Sequence, residues 1–248
     1  MTPRNAIEWH TQIAQDFDDK YAKSRSFKER YDVWTALIDK YCSAEFRAID
    51  LGCGSGIFTF YLAQRCKSVT GLDASPAMLN ICQKKREATA VSNVDFRDCD
   101  FNSMGLAITE RADLIVCSSV LEYLDDLDQF LRVIRSSLSG KGLLIFSMPN
   151  KRSFYRRLEP AAFEILGRPK YYRHVKNVCG FGEIATKLRH LGFEILESHY
   201  YGYTPFLSQL FRRVGLARYS ENLFVAVAQL PSTNVGTKRV NAEATLSN

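Results

Sequence analysis

Hydrophobic residues along this chain recur at two different spacings, and the change from one to the other predicts helices and strands. In residues 1–47 apolar side chains recur every three or four positions, which predicts amphipathic helices. Short, continuous apolar runs follow and predict buried strands. In chain order these runs are RAIDL, SVTGLD, VDFRDCD, ADLIVCSSVL, GLLIFSMP, FEILESHYY and NLFVAVAQL.

Helical patterns separate most of the predicted strands, and strands that alternate with helices form parallel sheets covered on both faces. No clear helical period separates the last two strands, so they could pair antiparallel at one edge. We therefore expect an α/β fold: a Rossmann-like, doubly wound, mostly parallel seven-stranded sheet with helices on both faces. We expect one domain over residues 1–230, with a helical cap at 1–44, a lid insertion at 150–178 and a disordered tail at 231–248.

The turn after the first strand carries an acid and three glycines, Asp50, Gly52, Gly54 and Gly56, in a D-x-G-x-G-x-G pattern. Ligands of doubly wound sheets bind at the carboxyl ends of the strands, and glycines let a ligand lie against the main chain there. The spacing is not that of a dinucleotide site, because Ile57 stands where the third glycine would be, and no P-loop lysine follows. The turn indicates a nucleoside bound without a phosphate cradle.

Asp73 ends the second predicted strand, where an acid can accept hydrogen bonds from both hydroxyls of a ribose. An alternative role for Asp73 is to cap the next helix. Ser75 and Pro76 also suit the start of that helix, as cap and first helical residue. The combination of Asp73 with the glycine turn favours the ribose role.

Four ordered motifs, AIDLGCGSG, VTGLDASPAML, DFRDCDF and DLIVCSSVLEYL, resemble the successive motifs of class I S-adenosylmethionine-dependent methyltransferases over residues 45–150. The layout is similar to that of the ubiquinone-biosynthesis O-methyltransferases and their small-molecule relatives. The resemblance implies S-adenosylmethionine as the cofactor and S-adenosylhomocysteine as the product. It also implies methylation of an oxygen on a small aromatic or lipophilic acceptor. Methyl transfer is an in-line displacement, so such an enzyme mainly positions the reacting atoms.

The resemblance assigns cofactor-binding roles to residues that match the family's motifs. Gly52, Gly54 and Gly56 would lie beneath the methionine and ribose, Asp73 would bind the ribose, and Asp50 would orient the turn and the cofactor's amino end. Ala74 and Met78 would lie beside the adenine, and Asp100 would face the adenine amino group with Phe101 beside it. Ser118 would lie where cofactor and substrate meet. Asp98 is an alternative to Asp100. Related enzymes also close an N-terminal aromatic or arginine over the cofactor, which points to Tyr21 and Arg30; the competing interpretation is that both lie on a helix surface.

The motif after the fourth strand departs from the family's metal-binding form. Glu122 is kept, but Ser119 and Tyr123 stand where that form has a second glutamate and a histidine. A hard cation needs several oxygen ligands, so we expect catalysis without a metal, with Glu122 as a catalytic candidate.

A hydroxyl acceptor must lose its proton during transfer, and a histidine is a common base. His174, at the end of the insertion, is the first candidate for a general base or substrate-orienting group, and His199 is the second. His10 could lie above the pocket on the N-terminal helices. His190 falls late in a predicted helix, where it favours the helix C-terminus instead.

The net charge of +6 is concentrated in residues 151–176, which hold eight Lys/Arg against two acids. Five aromatic residues interleave with these cations. This segment could be a lid that excludes water, a contact with an anionic bilayer, or a solvated face. It also keeps open tRNA or protein methylation, although no appended RNA-binding module is present and nucleic acid is not the expected partner. A nucleoside-binding protein without chemistry is a third class.

The remaining composition is that of an ordinary globular protein. No apolar run approaches the length needed to cross a bilayer, and the polar N-terminus does not look like a secretory signal. We expect a cytoplasmic protein, either free or peripheral to a membrane. Seven scattered cysteines without a C-x-x-C pair argue against a disulfide framework or a zinc site. They favour cysteine as a small buried hydrophobe.

Overall fold

A computed structural model describes residues 3–103, 111–202 and 211–231. The helices are α1 (Ala6–Gln12), α2 (Ala14–Lys23), α3 (Arg25–Tyr41), α4 (Ile57–Ala63), α5 (Pro76–Thr89), α6 (Leu127–Ser137), α7 (Phe154–Leu166) and α8 (Phe181–His190), with a helical turn at Ala217–Ser220. The strands are β1 (Arg47–Leu51), β2 (Ser68–Asp73), β3 (Val94–Asp98), β4 (Ala112–Cys117), β5 (Leu138–Pro149), β6 (Glu194–Tyr201) and β7 (Leu223–Gln229). Short 3₁₀ helices lie at Leu121–Tyr123 and Lys170–His174.

Within these ranges the strands form one seven-stranded sheet in the order β3-β2-β1-β4-β5-β7-β6. Strands β1 to β5 pair in parallel, whereas β7 is antiparallel to both β5 and β6. The predicted fold class is confirmed, including the antiparallel edge formed by the last two strands. The strand order reverses between β1 and β4, and this switch point places the turn after β1 at the site expected for a ligand.

Two apolar clusters cover the two faces of the sheet. On one face, α6 and α8 bring Leu131, Ile134 and Leu188 onto buried strand residues. On the other face, Trp34 of α3 stacks on Phe58 of α4, with ring centroids 5.2 Å apart. Burial of this apolar surface is the main force that holds both helical layers on the sheet.

Helices α1 and α2 lie beside the switch point at the carboxyl end of the sheet, and α3 continues from there onto one face of the sheet. The Thr11 hydroxyl lies 2.8 Å from the Ser75 hydroxyl, and Lys85 of α5 pairs with Asp18 of α2 at 2.5 Å. Farther along, the Trp34 indole donates a hydrogen bond of 3.2 Å to the Tyr201 hydroxyl at the end of β6. These contacts hold the N-terminal helices beside the glycine turn.

The insertion after β5 contains α7 and the 3₁₀ helix Lys170–His174, and it is joined back to the motif after β4. The backbone N–H groups of Lys176 and Asn177 both donate to the Glu122 carbonyl, at 2.7 and 3.0 Å. Inside the insertion, Arg156 donates to both carboxylate oxygens of Glu159 at 3.0 and 2.8 Å, and the Tyr171 hydroxyl donates to the same carboxylate. The predicted disordered tail lies outside the described residues, apart from Pro231.

Candidate active site

The glycine turn is anchored to β2 and takes up a backbone shape that other residues rarely adopt. Gly52, Gly54 and Gly56 all have positive φ, at 68°, 55° and 81°. The N–H groups of Gly52 and Cys53 donate to the Leu72 carbonyl at 2.8 and 3.0 Å. A Cβ atom on Gly52 would lie 2.1 Å from Cγ2 of Val120, so the position has no room for a side chain.

Asp73 connects the glycine turn to the start of α5. One of its carboxylate oxygens accepts a hydrogen bond from Gly54 N–H and the other accepts one from Ser75 N–H, both at 2.8 Å. The helix cap is Ser75, as predicted, because its hydroxyl accepts from Met78 N–H at 3.3 Å. Each Asp73 oxygen keeps acceptor capacity beyond its amide bond. Burial raises the pKa of Asp73, although the two backbone hydrogen bonds oppose this change.

A cavity of about 360 Å³ opens against this turn. Its wall contains most of the predicted cofactor residues: Gly52, Gly54, Asp73, Ala74, Met78, Asp100, Phe101, Ser118, Tyr21 and Arg30. Asp100 lines the cavity whereas Asp98 does not, so the geometry favours Asp100 of the two alternatives. The Asp100 carboxylate also accepts from Asn102 N–H at 2.9 Å, which fixes its orientation.

Two predicted cofactor residues lie behind the cavity wall. Gly56 is the N-cap of α4, and its missing side chain leaves room for Cys82 and Phe60. Asp50 is buried at the end of β1, where it accepts a 2.7 Å hydrogen bond from the Thr59 hydroxyl. Burial, with the nearby charge of Asp73, raises the pKa of Asp50 to about 7, against the effects of Thr59 and Arg30. Both residues therefore support the turn from below.

Arg30 reaches from α3 into the cavity and is held by Ser118 at the end of β4. Its guanidinium Nη2 donates to the Ser118 hydroxyl at 2.6 Å and to the Ser118 carbonyl at 3.1 Å. Its Nε is buried without a hydrogen-bond partner. A buried, unpaired donor on a cation is costly unless an anion binds there. Arg30 is thus well suited to bind a ligand carboxylate.

Aromatic side chains form the other part of the cavity wall. Trp9 and His10 of α1 meet Tyr123 after β4 and Tyr171 of the insertion. The ring centroids of His10 and Tyr123 are 5.1 Å apart, and those of Trp9 and Tyr171 are 6.3 Å apart, both in edge-to-face geometry. Rings in this arrangement make a surface suited to a planar or apolar ligand.

Glu122, the catalytic candidate from the sequence, lies in this aromatic part of the cavity wall. It lies in the 3₁₀ helix Leu121–Tyr123, is 4% exposed, and has one carboxylate oxygen, Oε2, without a hydrogen-bond partner. Burial raises the pKa of Glu122 to about 7, although its own backbone amide and the charges of Arg156 and Arg30 act in the opposite direction. A carboxyl group with this pKa can gain and lose a proton near neutrality.

The two histidines expected as bases lie apart from the cavity wall in the structure. His174 is buried beside Trp9, with ring centroids 6.3 Å apart, but it does not line the cavity. His199 lies on β6, pairs with Glu197 at 2.8 Å and is 51% exposed. It is far from the switch point because β7 inserts between β5 and β6 and makes β6 the sheet edge. Neither predicted base is therefore brought to the cavity wall.

His10 does line the cavity. Its Nδ1 lies 2.8 Å from the Ala6 carbonyl, which can only accept, so Nδ1 carries the proton and Nε2 is the acceptor. Burial lowers the pKa of His10 to about 4, and the charges of His174 and Arg30 act in the same direction. Sequence reasoning did not single out Trp9, Arg156 or Tyr171 as wall residues, although Arg156 and Tyr171 belong to the segment that it proposed as a lid. The amphipathic pattern of α1 was the one signal for its two aromatics.

These residues fit S-adenosylmethionine. Asp73 offers acceptors for two ribose hydroxyls, Met78 and Phe101 offer apolar contacts for an adenine, and the guanidinium of Arg30 offers a positive charge for the methionine carboxylate. The glycine turn lets a nucleoside lie against the backbone. The fold and this site together define a class I S-adenosylmethionine-dependent methyltransferase.

Comparisons with known proteins agree with this class. Residues 43–179, more than half of the chain, match the family described as a methyltransferase domain. The chain is 21% identical over 197 residues to a ubiquinone biosynthesis O-methyltransferase of Acinetobacter baylyi, covering 78% of this chain and 83% of that protein. It is 29% identical over 168 residues to a malonyl-[acyl-carrier protein] O-methyltransferase of Bacillus cereus, covering 66% of this chain and 58% of that protein.

A solved structure shows the same fold. The N-methyltransferase NodS of Bradyrhizobium japonicum, in complex with S-adenosylhomocysteine, superposes with a TM-score of 0.66 at 18% identity, covering 92% of this chain and 100% of NodS. The chain therefore belongs to the methyltransferase domain family, and its cofactor is S-adenosylmethionine.

Proposed function

We propose that this enzyme transfers the methyl group to an oxygen of a small aromatic or lipophilic acceptor, without a metal. The observation that carries the proposal is a single cavity whose wall combines the nucleoside residues, an aromatic surface and the buried Glu122. Two relatives with different acceptors are both named O-methyltransferases, which supports oxygen as the attacked atom. The aromatic wall supports the acceptor class.

In the proposed mechanism the chain positions the reactants and removes one proton. When bound, S-adenosylmethionine supplies an electrophilic methyl group on a sulfonium sulfur. Asp73 and Arg30 hold the two ends of the site, so that the reacting centre faces Tyr123 and Glu122. The Glu122 carboxylate accepts the proton of the acceptor hydroxyl as that oxygen attacks. His174 and His199 stay predictions as bases, and their positions do not favour them.

The surroundings of Glu122 support a reaction without a metal. The charges of Arg156 and Arg30 act on this carboxylate, and two nearby guanidinium groups disfavour a bound cation. The experiment is a transfer assay with labelled S-adenosylmethionine and a panel of phenols, fatty acids and tRNA, with and without a chelator. We expect methylated phenols or lipids, at the same rate in both conditions. Labelled tRNA, or activity lost with the chelator and restored by magnesium, would contradict the proposal.

Glu122→Gln tests the assigned base. We expect kcat to fall by about 100-fold or more, because the amide cannot accept the proton, with little change in the KM for S-adenosylmethionine. The base acts in its deprotonated form, so wild-type kcat should rise with pH and level off above the Glu122 pKa of about 7. The variant has no carboxylate to titrate, so its kcat should not change across a pH range of roughly one unit on either side of the Glu122 pKa of about 7.

The shape of the wild-type pH profile separates Glu122 from the nearest rival. If His10 were the base, the rate would level off above its pKa of about 4 and would be flat near neutrality. His10→Gln would then reduce kcat as strongly as Glu122→Gln. That pair of results would contradict the role of Glu122 and leave the cofactor site intact.

The same proposal takes residues 1–230 as one domain, with α1 to α3 as its cap and residues 150–178 as its lid. Arg156, Tyr171 and Val175 of the insertion line the cavity, which supports a lid that excludes water. Arg156 and Glu159 pair inside the insertion with side chains 9% and 1% exposed, which helps to keep this inner surface ordered.

The outer surface of α7 supports peripheral contact with an anionic membrane. Leu158, Ile165 and Leu166 are 68%, 80% and 70% exposed. Exposed Arg157, Arg168, Lys170 and Arg173 lie in the same segment. Exposed apolar residues beside cations are typical of helices that lie at a bilayer interface. Among the described residues, no helix is long and apolar enough to cross a membrane.

Vesicle flotation tests this contact. We expect the wild-type protein to float with vesicles that contain anionic phospholipid, and much less with neutral vesicles, because both apolar burial and charge attraction contribute. The double variant Leu158→Ser, Ile165→Ser should lose most of the binding. Leu196→Ser, which changes a 37% exposed leucine on β6, is the matched control. Equal flotation of both variants would exclude α7 as the contact.

A further inference from the structure

Two cysteines that are distant in sequence meet at the far ends of α3 and α4. The sulfur atoms of Cys42 and Cys66 lie 2.7 Å apart. This separation exceeds the ~2.05 Å bond of a disulfide by less than about 1 Å. Backbone hydrogen bonds fix both residues: Cys42 N–H donates to the Ile38 carbonyl and Cys66 N–H to the Leu62 carbonyl, each at 2.8 Å.

The two thiols differ in access and in chemistry. Cys42 is partly exposed, whereas Cys66 is buried. The contact between the two thiols lowers the pKa of Cys42 and raises the pKa of Cys66. Arg65 also lowers the pKa of Cys42, while burial and Asp39 raise it. An accessible sulfur with thiolate character is the one that reacts first with an oxidant.

We propose that Cys42 and Cys66 are a peroxide-sensitive thiol pair that forms a reversible disulfide. The Cys42 thiolate attacks hydrogen peroxide, which gives a sulfenic acid and hydroxide, and the hydroxide takes up a proton to become water. The Cys66 sulfur then attacks the Cys42 sulfur, the S–S bond forms, and a second water leaves. Two thiols and one peroxide thus become one disulfide and two waters. Neither cysteine lines the cavity, so this inference does not depend on the proposed function.

The disulfide would act on the part of the chain that holds the cofactor turn. The segment between the two cysteines contains β1, the glycine turn and α4. The bond would also join α4 to α3, the helix that carries Arg30. Closing this loop restricts the unfolded chain, so oxidation should raise the midpoint of thermal unfolding by roughly 5–10 °C.

The other cysteines provide internal controls. Cys53 and Cys82 also interact with each other, and both are buried beside the glycine turn. Cys53 lines the cavity, whereas Cys82 is fully buried behind it. Cys179 is partly exposed, like Cys42. It lies after the insertion, at a bridge to Asn150, away from the ends of α3 and α4.

The test treats the reduced, full-length protein with one equivalent of hydrogen peroxide, alkylates the remaining thiols and maps them by mass spectrometry. We expect one linked pair, Cys42 with Cys66, lighter by two hydrogen atoms and restored by dithiothreitol. Cys82, which is fully buried, should react with the alkylating reagent only after the protein is unfolded. If Cys42 and Cys66 are both recovered in the alkylated form after peroxide, the proposal is wrong.

Serine variants test the order of the steps. Cys66→Ser should let the Cys42 sulfenic acid accumulate, so that dimedone labels it, whereas Cys42→Ser should leave Cys66 reduced. Both variants should lose the oxidation-dependent rise in unfolding temperature, and Cys179→Ser should keep it. A disulfide between Cys66 and a different cysteine in Cys42→Ser, or an equal rise in unfolding temperature in all three variants, would overturn the assignment. The wild-type mapping decides the matter even if a variant fails to fold.

Discussion

Asp73→Ala is expected to raise the dissociation constants for S-adenosylmethionine and S-adenosylhomocysteine by about 100-fold or more. The substitution removes the acceptor for two ribose hydroxyls, and hydrogen bonds to a charged group contribute about 1.5–3 kcal/mol each. It also removes the acceptor that holds Gly54 N–H and Ser75 N–H. The binding site therefore loses both a ligand contact and the support of the glycine turn. Isothermal titration calorimetry measures the effect.

Two further variants separate loss of binding from loss of folding. Asp73→Asn keeps the size of the side chain and should still weaken binding by at least about tenfold, because a neutral amide is a weaker acceptor. Asp95→Ala, on the neighbouring strand, removes an exposed carboxylate that pairs with Arg97 and should bind like the wild type. If Asp73→Ala folded normally and bound S-adenosylhomocysteine with unchanged affinity, the ribose assignment would be wrong.

Gly52→Ala is expected to be the most destabilising single substitution in the turn. Alanine at φ 68° costs about 1–2 kcal/mol, and its Cβ would lie 2.1 Å from Cγ2 of Val120. Val120 is β-branched and cannot easily rotate away, so overpacking adds about 1–3 kcal/mol. We expect the free energy of unfolding to fall by about 2–5 kcal/mol, measured by urea denaturation, and cofactor binding to fall with it.

Gly167→Ala is the matched control for Gly52→Ala. Gly167 has nearly the same φ, 62°, but no atom lies within 4 Å of the position of its Cβ. The free energy of unfolding of Gly167→Ala should therefore fall by only about 1–2 kcal/mol, which is the backbone cost of alanine at this φ. Val120→Ala combined with Gly52→Ala should recover part of the loss by removing the clash. Equal losses in Gly52→Ala and Gly167→Ala, with no recovery in the double variant, would show that crowding is not the cause.

The sequence could predict which residues gather around the glycine turn because that part of the candidate site is local. The glycine turn, Asp73 and Ser75 occupy consecutive strand-to-helix junctions, and the doubly wound topology brings such junctions to one edge of the sheet. The fold class followed for the same reason, since each strand and helix has its own apolar period. Even the antiparallel pairing of β6 and β7 was expected, because the sequence shows no clear helical period between them, although the described residues there include the helical turn Ala217–Ser220.

The acceptor part of the site could not be predicted in the same way because it depends on tertiary packing. The sequence around His10 and Trp9 does not indicate that α1 packs against Tyr123 and the insertion. His199, like His174, lies near the end of a predicted segment, so the sequence made both candidates. In the structure β7 lies between β5 and β6 and separates the strand of His199 from the switch point. The contact between Cys42 and Cys66 could not be predicted for the same reason. It arises from the packing of α3 on α4, and the spacing of the two cysteines matches no known motif.

A crystal structure of the protein with bound S-adenosylhomocysteine tests the assigned site most directly. We expect ribose hydroxyls on Asp73, adenine between Met78 and Phe101, the carboxylate on Arg30, and the sulfur facing Glu122 and Tyr123. A ligand bound elsewhere, or in this cavity with its sulfur turned away from Glu122, would show that the assignment is wrong.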